Sequence, residues 1–319
     1  MVKSGSKALL AALALILVPD TSFAADLLKL AIGQRGLWDS AIGEIGQEQG
    51  IFRRHDLELQ MFYTSGGGET QQAVIAGSAD IGVSPGTLGV LSIFAKGAPV
   101  RIIAGEATGT AEYYFVRAES PIRKFQDANA DTTLAYSTTG SGTHITALRF
   151  MKEYGFQAKL TATGSVPATF TQVMSGQIDI GFSTPPFGLD ADEQGRIRII
   201  ALANDLPSIR NQTVRVTIAN ANDLARRPDV YRRFIAAYRE TIDWMYADPK
   251  GLDAFAKYAA ITPATARTVR DRFYPKSMLQ LDQVIGLDAL MQDAVAFKYI
   301  AQPLNKEQLD ELLWLPGKR

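Results

Sequence analysis

Apolar runs of strand length alternate along this chain with stretches whose apolar residues recur every three or four positions. Residues 27–33 form the first such run, and the polar loop 34–39 follows it. Ser40 is placed to cap a helix with Ile42 and Ile45 on one face, ending near Gly50. Leu57, Leu59, Met61 and Tyr63 alternate with polar residues and predict a strand. A Ser-Gly-Gly-Gly turn at 65–68, a short helix and a strand over 80–83 come next. Ser84-Pro85-Gly86-Thr87 opens a helix with Leu88, Leu91 and Phe94 in register, closed by Gly97 before a strand at 100–104. Strands separated by helices of about ten residues predict βαβ units and a mostly parallel sheet.

Residues 70–84 recur at 169–183. The offset is ninety-nine positions, and seven of the fifteen residues are identical: Thr, Val, the first Gly, the Asp-Ile-Gly run and the closing Ser. Each copy reads as a helix stopped by glycine and a step into a buried strand that ends on a hydroxyl. Two such units, a lobe apart, predict two similar α/β halves facing a shared space. Asp80 and Asp179 lie four residues before the strand-end serines, about 13 Å of strand away, and are expected to secure the helix–strand turn.

Between the copies, residues 112–117 are extended and aromatic, and read as a crossing into a second lobe. The pattern then restarts, with strands at 132–136, 159–162 and 196–202. Residues 213–219 are extended and β-branched and read as the return crossing. Beyond Pro228 the chain is helical, with Phe234, Tyr238, Ile242 and Met245 on one stripe. Further helices are expected from Thr262-Pro263, over 282–297, and after a capping box formed by Asn305 and Gln308.

Composition narrows the function. Lys3 and Lys7 precede an apolar run at 8–18, and Pro19 to Ala24 ends it with small residues at the −3 and −1 positions. That is the form of a secretory signal peptide cut after Ala24, too short for a membrane span, so the mature chain is expected to be exported and free of stable membrane insertion. The chain has no cysteine, which excludes disulfides, thiolate metal sites and a cysteine nucleophile. Residues 25–319 carry 31 basic against 32 acidic side chains, so no charge pattern favours nucleic acid. The only histidines are His55 and His144. No metal-ligand spacing, nucleophile elbow or phosphate loop is present, and Ile145 stands where a dinucleotide fingerprint would need its third glycine. No catalytic residue, metal or cofactor is expected.

Binding has more to work with. Five loops follow the C-terminal ends of strands, where open α/β sheets take their ligands beside helix N-termini. From them the expected ligand-binding residues are Trp38, Ser65, Gly66, Gly67, Ser84, Thr87, Thr139, Gly140, Ser141, Gly142, Thr143, His144, Ser183, Pro186 and Phe187. Gly140 to His144 is the richest anion site, since its hydroxyls and free N–H groups sit at the positive end of a helix. Trp38 and Phe187, one on each lobe, could close over a planar or apolar ligand body, or equally serve as core. Arg35, Arg149 and Arg215 are left open as cleft residues, and Arg215 on the return crossing is the most interesting.

Ser65 to Gly68, the Gly77–Gly82 and Ser175–Gly181 segments and Gly140 to His144 together resemble the periplasmic substrate-binding proteins of ATP-binding-cassette (ABC) importers. The resemblance is to the nitrate-, sulfonate- and taurine-like group, which includes relatives of thiamine-pyrimidine-precursor binders. It runs from about Leu28 to Ala219. It implies a type II-like, periplasmic-binding-protein-like α/β fold, two lobes joined by two crossover strands, with the helical C-terminal tail packed on the first lobe. Lobe 1 would be 25–112 with 218–319, and lobe 2 would be 113–217. The implied function is capture of a small organic anion, a carboxylate or sulfonate, by a periplasmic monomer that delivers it to a membrane permease. The alternatives are a neutral or zwitterionic heterocycle such as a thiamine pyrimidine precursor, and an exported enzyme with a dispersed site.

Overall fold

The structure is a computed structural model that describes residues 25–316. The expected signal peptide, 1–24, lies outside the described residues. Among the described residues, ten strands build two sheets of matching order. β1 (Asp26–Ile32), β2 (Leu57–Tyr63), β3 (Ile81–Val83) and β4 (Val100–Thr108) belong to the first, with β10 (Thr213–Asn220) inserted between β3 and β4. Its order is β2-β1-β3-β10-β4, and β10 alone runs antiparallel to its neighbours. In the second, β5 (Tyr113–Arg117) lies antiparallel between β8 (Gly181–Ser183) and β9 (Ile197–Leu202). β6 (Thr133–Tyr136) pairs with β7 (Lys159–Ala162), and bonds from Ala135 N to Ile180 O and from Ile180 N to Thr133 O join that pair to β8. The order β7-β6-β8-β5-β9 thus repeats the first sheet. Each sheet takes one crossing strand as its single antiparallel member, which is why the periodicity reads as parallel elsewhere.

The 99-residue repeat is carried into atomic detail. α2 (Gly67–Ile75) and α5 (Val166–Met174) occupy the copied positions; the longer helices before and between them are α1 (Ile42–Glu48), α3 (Thr87–Ala95) and α4 (Gly142–Tyr154). Thr64 and Thr70 share a hydroxyl contact of 2.8 Å, and their counterparts Thr163 and Thr169 one of 2.6 Å. Asp80 Oδ2 accepts the backbone N–H of Lys29 at 2.8 Å, as Asp179 Oδ2 accepts that of Thr133 at 2.8 Å. The paired aspartates therefore fasten each helix–strand turn to the neighbouring strand, far from any chemistry.

The tail packs on the first sheet. In α6 (Pro228–Ala247) the expected stripe of Phe234, Tyr238, Ile242 and Met245 is buried, and with Leu28, Leu30, Ile42, Ile45 and Phe52 it forms one continuous core. α7 (Lys250–Ala259) joins that core, whereas α8 (Leu287–Ala296) and α9 (Lys306–Leu312) cover the opposite face beside α3. α9 starts from the expected Asn305–Gln308 capping box. Two sequence expectations fail locally. Ser40 lies inside a 3₁₀ turn, bonding Leu37 through its hydroxyl instead of capping a helix. The helix expected from 282 begins at Leu287, because Gly286 adopts a left-handed φ of 71°.

Candidate functional site

A cleft of about 500 Å³, including its open mouth, lies between the two sheets. On the first-lobe side it is walled by Ser65, Gly66, Gly67 and Ser84, and on the other by Ser141, Gly142 and Thr143. These seven expected residues do come together. They stand at helix N-termini for a local reason: each loop leaves a parallel strand and must turn at once into the next helix. The first turns of α2 and α4 keep N–H groups that the intrahelical ladder cannot use. Ser141 caps α4 by accepting the N–H of His144 at 3.2 Å. The Ser141 and Ser137 hydroxyls each lie 2.9 Å from Thr143 Oγ1, a continuous run of hydroxyls along the wall.

The floor is polar and charged. Arg215, on β10, meets Asp39 Oδ2 at 3.1 Å through one terminal nitrogen and Glu112 Oε1 through the other. Glu112 immediately precedes β5, so this ion pair ties one lobe crossing to the other. Burial by itself would lower the Arg215 pKa, but the Glu112 and Asp39 carboxylates more than reverse this and raise it. Behind Ser84, fully buried Glu106 accepts from the Ser84 N–H at 2.7 Å, the Ser84 hydroxyl at 2.5 Å and the Thr217 hydroxyl at 3.1 Å. Burial pushes Glu106 up to about 7, with the Asp39 charge adding to the rise, against these hydrogen bonds. They also hold Ser84 at a left-handed φ of 66°.

The other eight expected residues lie off the cleft wall. Trp38 is fully buried, edge-on against Phe255 at 4.7 Å and Tyr246 at 5.4 Å, so it is core. The Thr87 hydroxyl is spent on the Thr213 carbonyl at 2.6 Å, which moors α3 to the return crossing. Thr139, Gly140 and His144 face away, toward the tail. His144 stacks on Tyr136 with ring centroids 4.3 Å apart, and Tyr299 reaches its Nδ1 at 2.6 Å. Burial brings His144 down to about 4, so it adds no positive charge for a ligand at neutral pH. Ser183 and Tyr113 both donate to the Phe187 carbonyl and fold the 184–187 loop back on its own lobe, with Pro186 outside the wall. The Phe187 ring instead crosses to the Gly36 loop, where any Cβ at Gly36 would sit 3.0 Å from it.

Several wall residues escaped the sequence reading: Asp39, Glu112, Ser137, Thr184 and Gln34. Opposite charges on the two crossings, at 112 and 215, were the available signal. Of the three arginines left open, Arg215 lines the cleft. Arg35 pairs with Glu44 at 2.7 Å over the Tyr258 ring, and Arg149 is held by Asp293 at 2.6 Å.

The glycines of the 140–142 loop also pack lobe on lobe. An ideal Cβ on Gly86 would lie 2.6 Å from Gly140 O, and one on Gly89 would lie 2.3 Å from it. Gln71 Nε2 donates to that same carbonyl at 3.1 Å.

Two lobes of matching strand order around a cleft, fed by two antiparallel crossings, agree with a family model described as NMT1/THI5 like, which matches residues 42–251. The chain belongs to the NMT1/THI5-like family. Among solved structures, this family member is similar to the alkanesulfonate-binding protein SsuA from Xanthomonas axonopodis pv. citri bound to MOPS. The TM-score is 0.75 at 16% identity, over 90% of this chain and 98% of that one. The periplasmic aliphatic sulphonate binding protein SsuA from Escherichia coli gives 0.70 at 18% identity, over 92% and 93%. The periplasmic nitrate-binding protein NrtA from Synechocystis PCC 6803 gives 0.68 at 13%, over 90% and 86%. At these identities the likeness is one of fold, and the NMT1/THI5-like chain has the periplasmic-binding-protein fold. No curated protein sequence matches it significantly. Among the described residues no helix is long and apolar enough to cross a membrane.

Proposed function

We propose that this chain is a solute-binding protein that captures a small organic anion, a carboxylate or sulfonate, and delivers it to an ABC permease. The observation that carries this reading is the convergence of the Ser65–Gly67 and Ser141–Thr143 loops on one cleft. Each offers helix N-terminal N–H groups, and the second adds a run of hydroxyls. An anion held there by α4 would gain contacts from α2 only when the lobes are together, so binding would favour the closed state. Support also comes from the ligands for which the fold neighbours are named, sulfonates and nitrate. In this reading 25–112 with 218–319 form one lobe and 113–217 the other. Residues 1–24 direct export to the periplasm, where the protein acts as a monomer and catalyses nothing.

Thermal unfolding of the purified protein against a panel of organic acids and sulfonates tests it. A ligand at 100 times its dissociation constant stabilises by about 2.7 kcal/mol, a shift read directly in Tm. Stabilisation by uncharged compounds alone would overturn the anion reading. Consumption of a stabilising compound beyond one equivalent would replace binding with catalysis.

A further inference from the structure

The C-terminal tail holds more than the first sheet. It enters α8 from Ile285, which is pinned to the return crossing. The Thr213 N–H donates to the Ile285 carbonyl at 3.0 Å, and the Ile285 N–H to the Thr213 hydroxyl at 2.8 Å. α8 then works on two faces. Leu290, Met291 and Ala294 are buried in the core around α3, with Leu88 and Leu91 of the first lobe. Asp293 and Phe297, four residues apart on the adjoining face, meet α4 of the second lobe. Asp293 spends both carboxylate oxygens there, Oδ2 on Arg149 at 2.6 Å and Oδ1 on Lys152 at 3.1 Å. The Lys152 ammonium lies 5.4 Å from the Phe297 ring centroid, and Tyr299 takes the His144 ring. Ile145 of α4 is buried in the same core as Leu290, and Ile300 and Leu304 return the tail to Val100 and Ile102.

Arg149 makes this junction costly to part. Its side chain is 1% exposed, and Asp293 supplies its countercharge; its other bonds go to the Ser208 carbonyl and the Gln212 amide oxygen. A guanidinium cannot shed its proton to relieve burial, so it keeps its carboxylate for as long as it stays dry. Drawing α4 away from α8 would break both Asp293 contacts, wet Arg149 and uncover Ile145.

We propose that residues 285–300 form an inter-lobe strap, seated on the first lobe and latched by Asp293 onto Arg149 of the second. The strap biases the lobes toward the joined arrangement before any ligand arrives. It is a property of the two-lobed fold, goes beyond the solute-binding reading and does not depend on what fills the cleft. Because the first turn of α4 also walls the cleft, the latch sets how much of the closure an occupant has to drive.

The chain has no cysteine, so introduced pairs can carry spin labels without interference. Glu58→Cys on the first lobe, Lys159→Cys on the second and Gln292→Cys on the strap replace exposed side chains. Double electron–electron resonance on the ligand-free protein, labelled two positions at a time, reads the three distances among them. Asp293→Asn removes the charge that compensates Arg149. The ratio of open to closed molecules, read between positions 58 and 159, should then rise about tenfold or more, because only the closed arrangement keeps the arginine buried. The distance from 58 to 292 should hold, and that from 159 to 292 should lengthen with the lobes. If Asp293→Asn fails to fold, judged by its circular dichroism melt, Lys152→Ala combined with Tyr299→Phe decides in its place. That protein strands no buried charge and should show a shift of about fivefold. Unchanged distances between 58 and 159 in a folded variant would overturn the latch and leave the pair as packing. A fixed distance from 159 to 292 with a longer one from 58 to 292 would make the tail part of the second lobe and overturn the strap. No ligand enters these measurements, so neither result touches the solute-binding reading, which the acid and sulfonate panel tests.

Discussion

Tyr299, on the C-terminal tail, donates its hydroxyl proton to Nδ1 of His144 at 2.6 Å, and so fastens the tail to the helix whose first turn walls the cleft. The Gly140 N–H also points at Nδ1, at 3.5 Å. A backbone N–H can only donate, so Nδ1 is the bare nitrogen and the neutral ring carries its proton on Nε2. Like the Phe187–Gly36 contact, it joins residues that the chain order assigns to different lobes.

Tyr299→Phe should therefore loosen the closed state. One lost hydrogen bond of this kind is worth about 1 kcal/mol, or about fivefold in ligand affinity if it forms only on closure. Calorimetric titration would measure it, and small-angle scattering should show a larger radius of gyration. An unchanged affinity would mean that the bond is present in the open state too.

The same pair sets an acid limit. His144 is depressed to about 4, by burial, from an ordinary value of 6.5. A base with a lowered folded pKa lends stability that is complete above its unfolded value and is lost as pH falls through the folded one. Tm should drop between pH 6.5 and 4 through this group, and His144→Asn should reduce that slope. Equal slopes in the two proteins would assign the acid limb elsewhere.

Glu106 gives the opposite sign. Its folded pKa, about 7, stands above the ordinary 4.5 because the carboxyl is buried and Asp39 is near. The unfolded chain loses that proton first, so this stability is complete below 4.5 and is lost as pH rises toward 7. The rise corresponds to about 3 kcal/mol of order-of-magnitude destabilisation at neutral pH. Glu106→Gln should flatten stability between pH 5 and 7.5 in denaturant titrations, and a persistent decline would exonerate Glu106.

Gly89→Ala separates closure from folding. The added methyl would lie 2.3 Å from Gly140 O, across the lobe junction, and 2.6 Å from Nε2 of Gln71 in its own lobe. In an open molecule it would not meet Gly140, and the Gln71 amide, freed from the Gly140 carbonyl, could swing aside, so alanine would suit this helix interior better than glycine by up to about 1 kcal/mol. The expected result is an equal or higher Tm without ligand and an affinity loss of about tenfold or more, the cost of forcing two packed surfaces apart. Full affinity would show that the lobes bind ligand without this approach.

Trp38→Ala should behave as a core deletion. Large-to-small changes of this type cost about 3–5 kcal/mol of stability. Trp38→Phe, which keeps an aromatic ring in the pocket formed by Phe255 and Tyr246, should retain ligand affinity within about twofold, since that ring touches no cleft wall. A large loss of affinity in a folded Trp38→Phe protein would restore the stacking role expected from sequence.

The layered α/β plan, the 99-residue repeat and the helical tail were legible in the chain because periodicity and turn chemistry are local. Leu57 to Tyr63 alternate, Gly77 and Gly176 take the left-handed stops at φ 72° and 79°, and Asn305 with Gln308 closes its own capping box. Those signals need only neighbours in sequence, and they also locate the loops at the strand ends, hence Ser65 to Gly67 and Ser141 to Thr143. Which side of a loop meets the cleft depends instead on residues a hundred or more positions away. Trp38 looked like a binding aromatic until Tyr246 and Phe255 packed around it, and His144 like an anion ligand until Tyr299 took its nitrogen. Glu112 and Arg215, 103 residues apart, acquire meaning only as a pair. Burial and electrostatic pairing are set by three-dimensional neighbours, and it is those that turned a loop pattern read for anions into a cleft with a carboxylate in its floor.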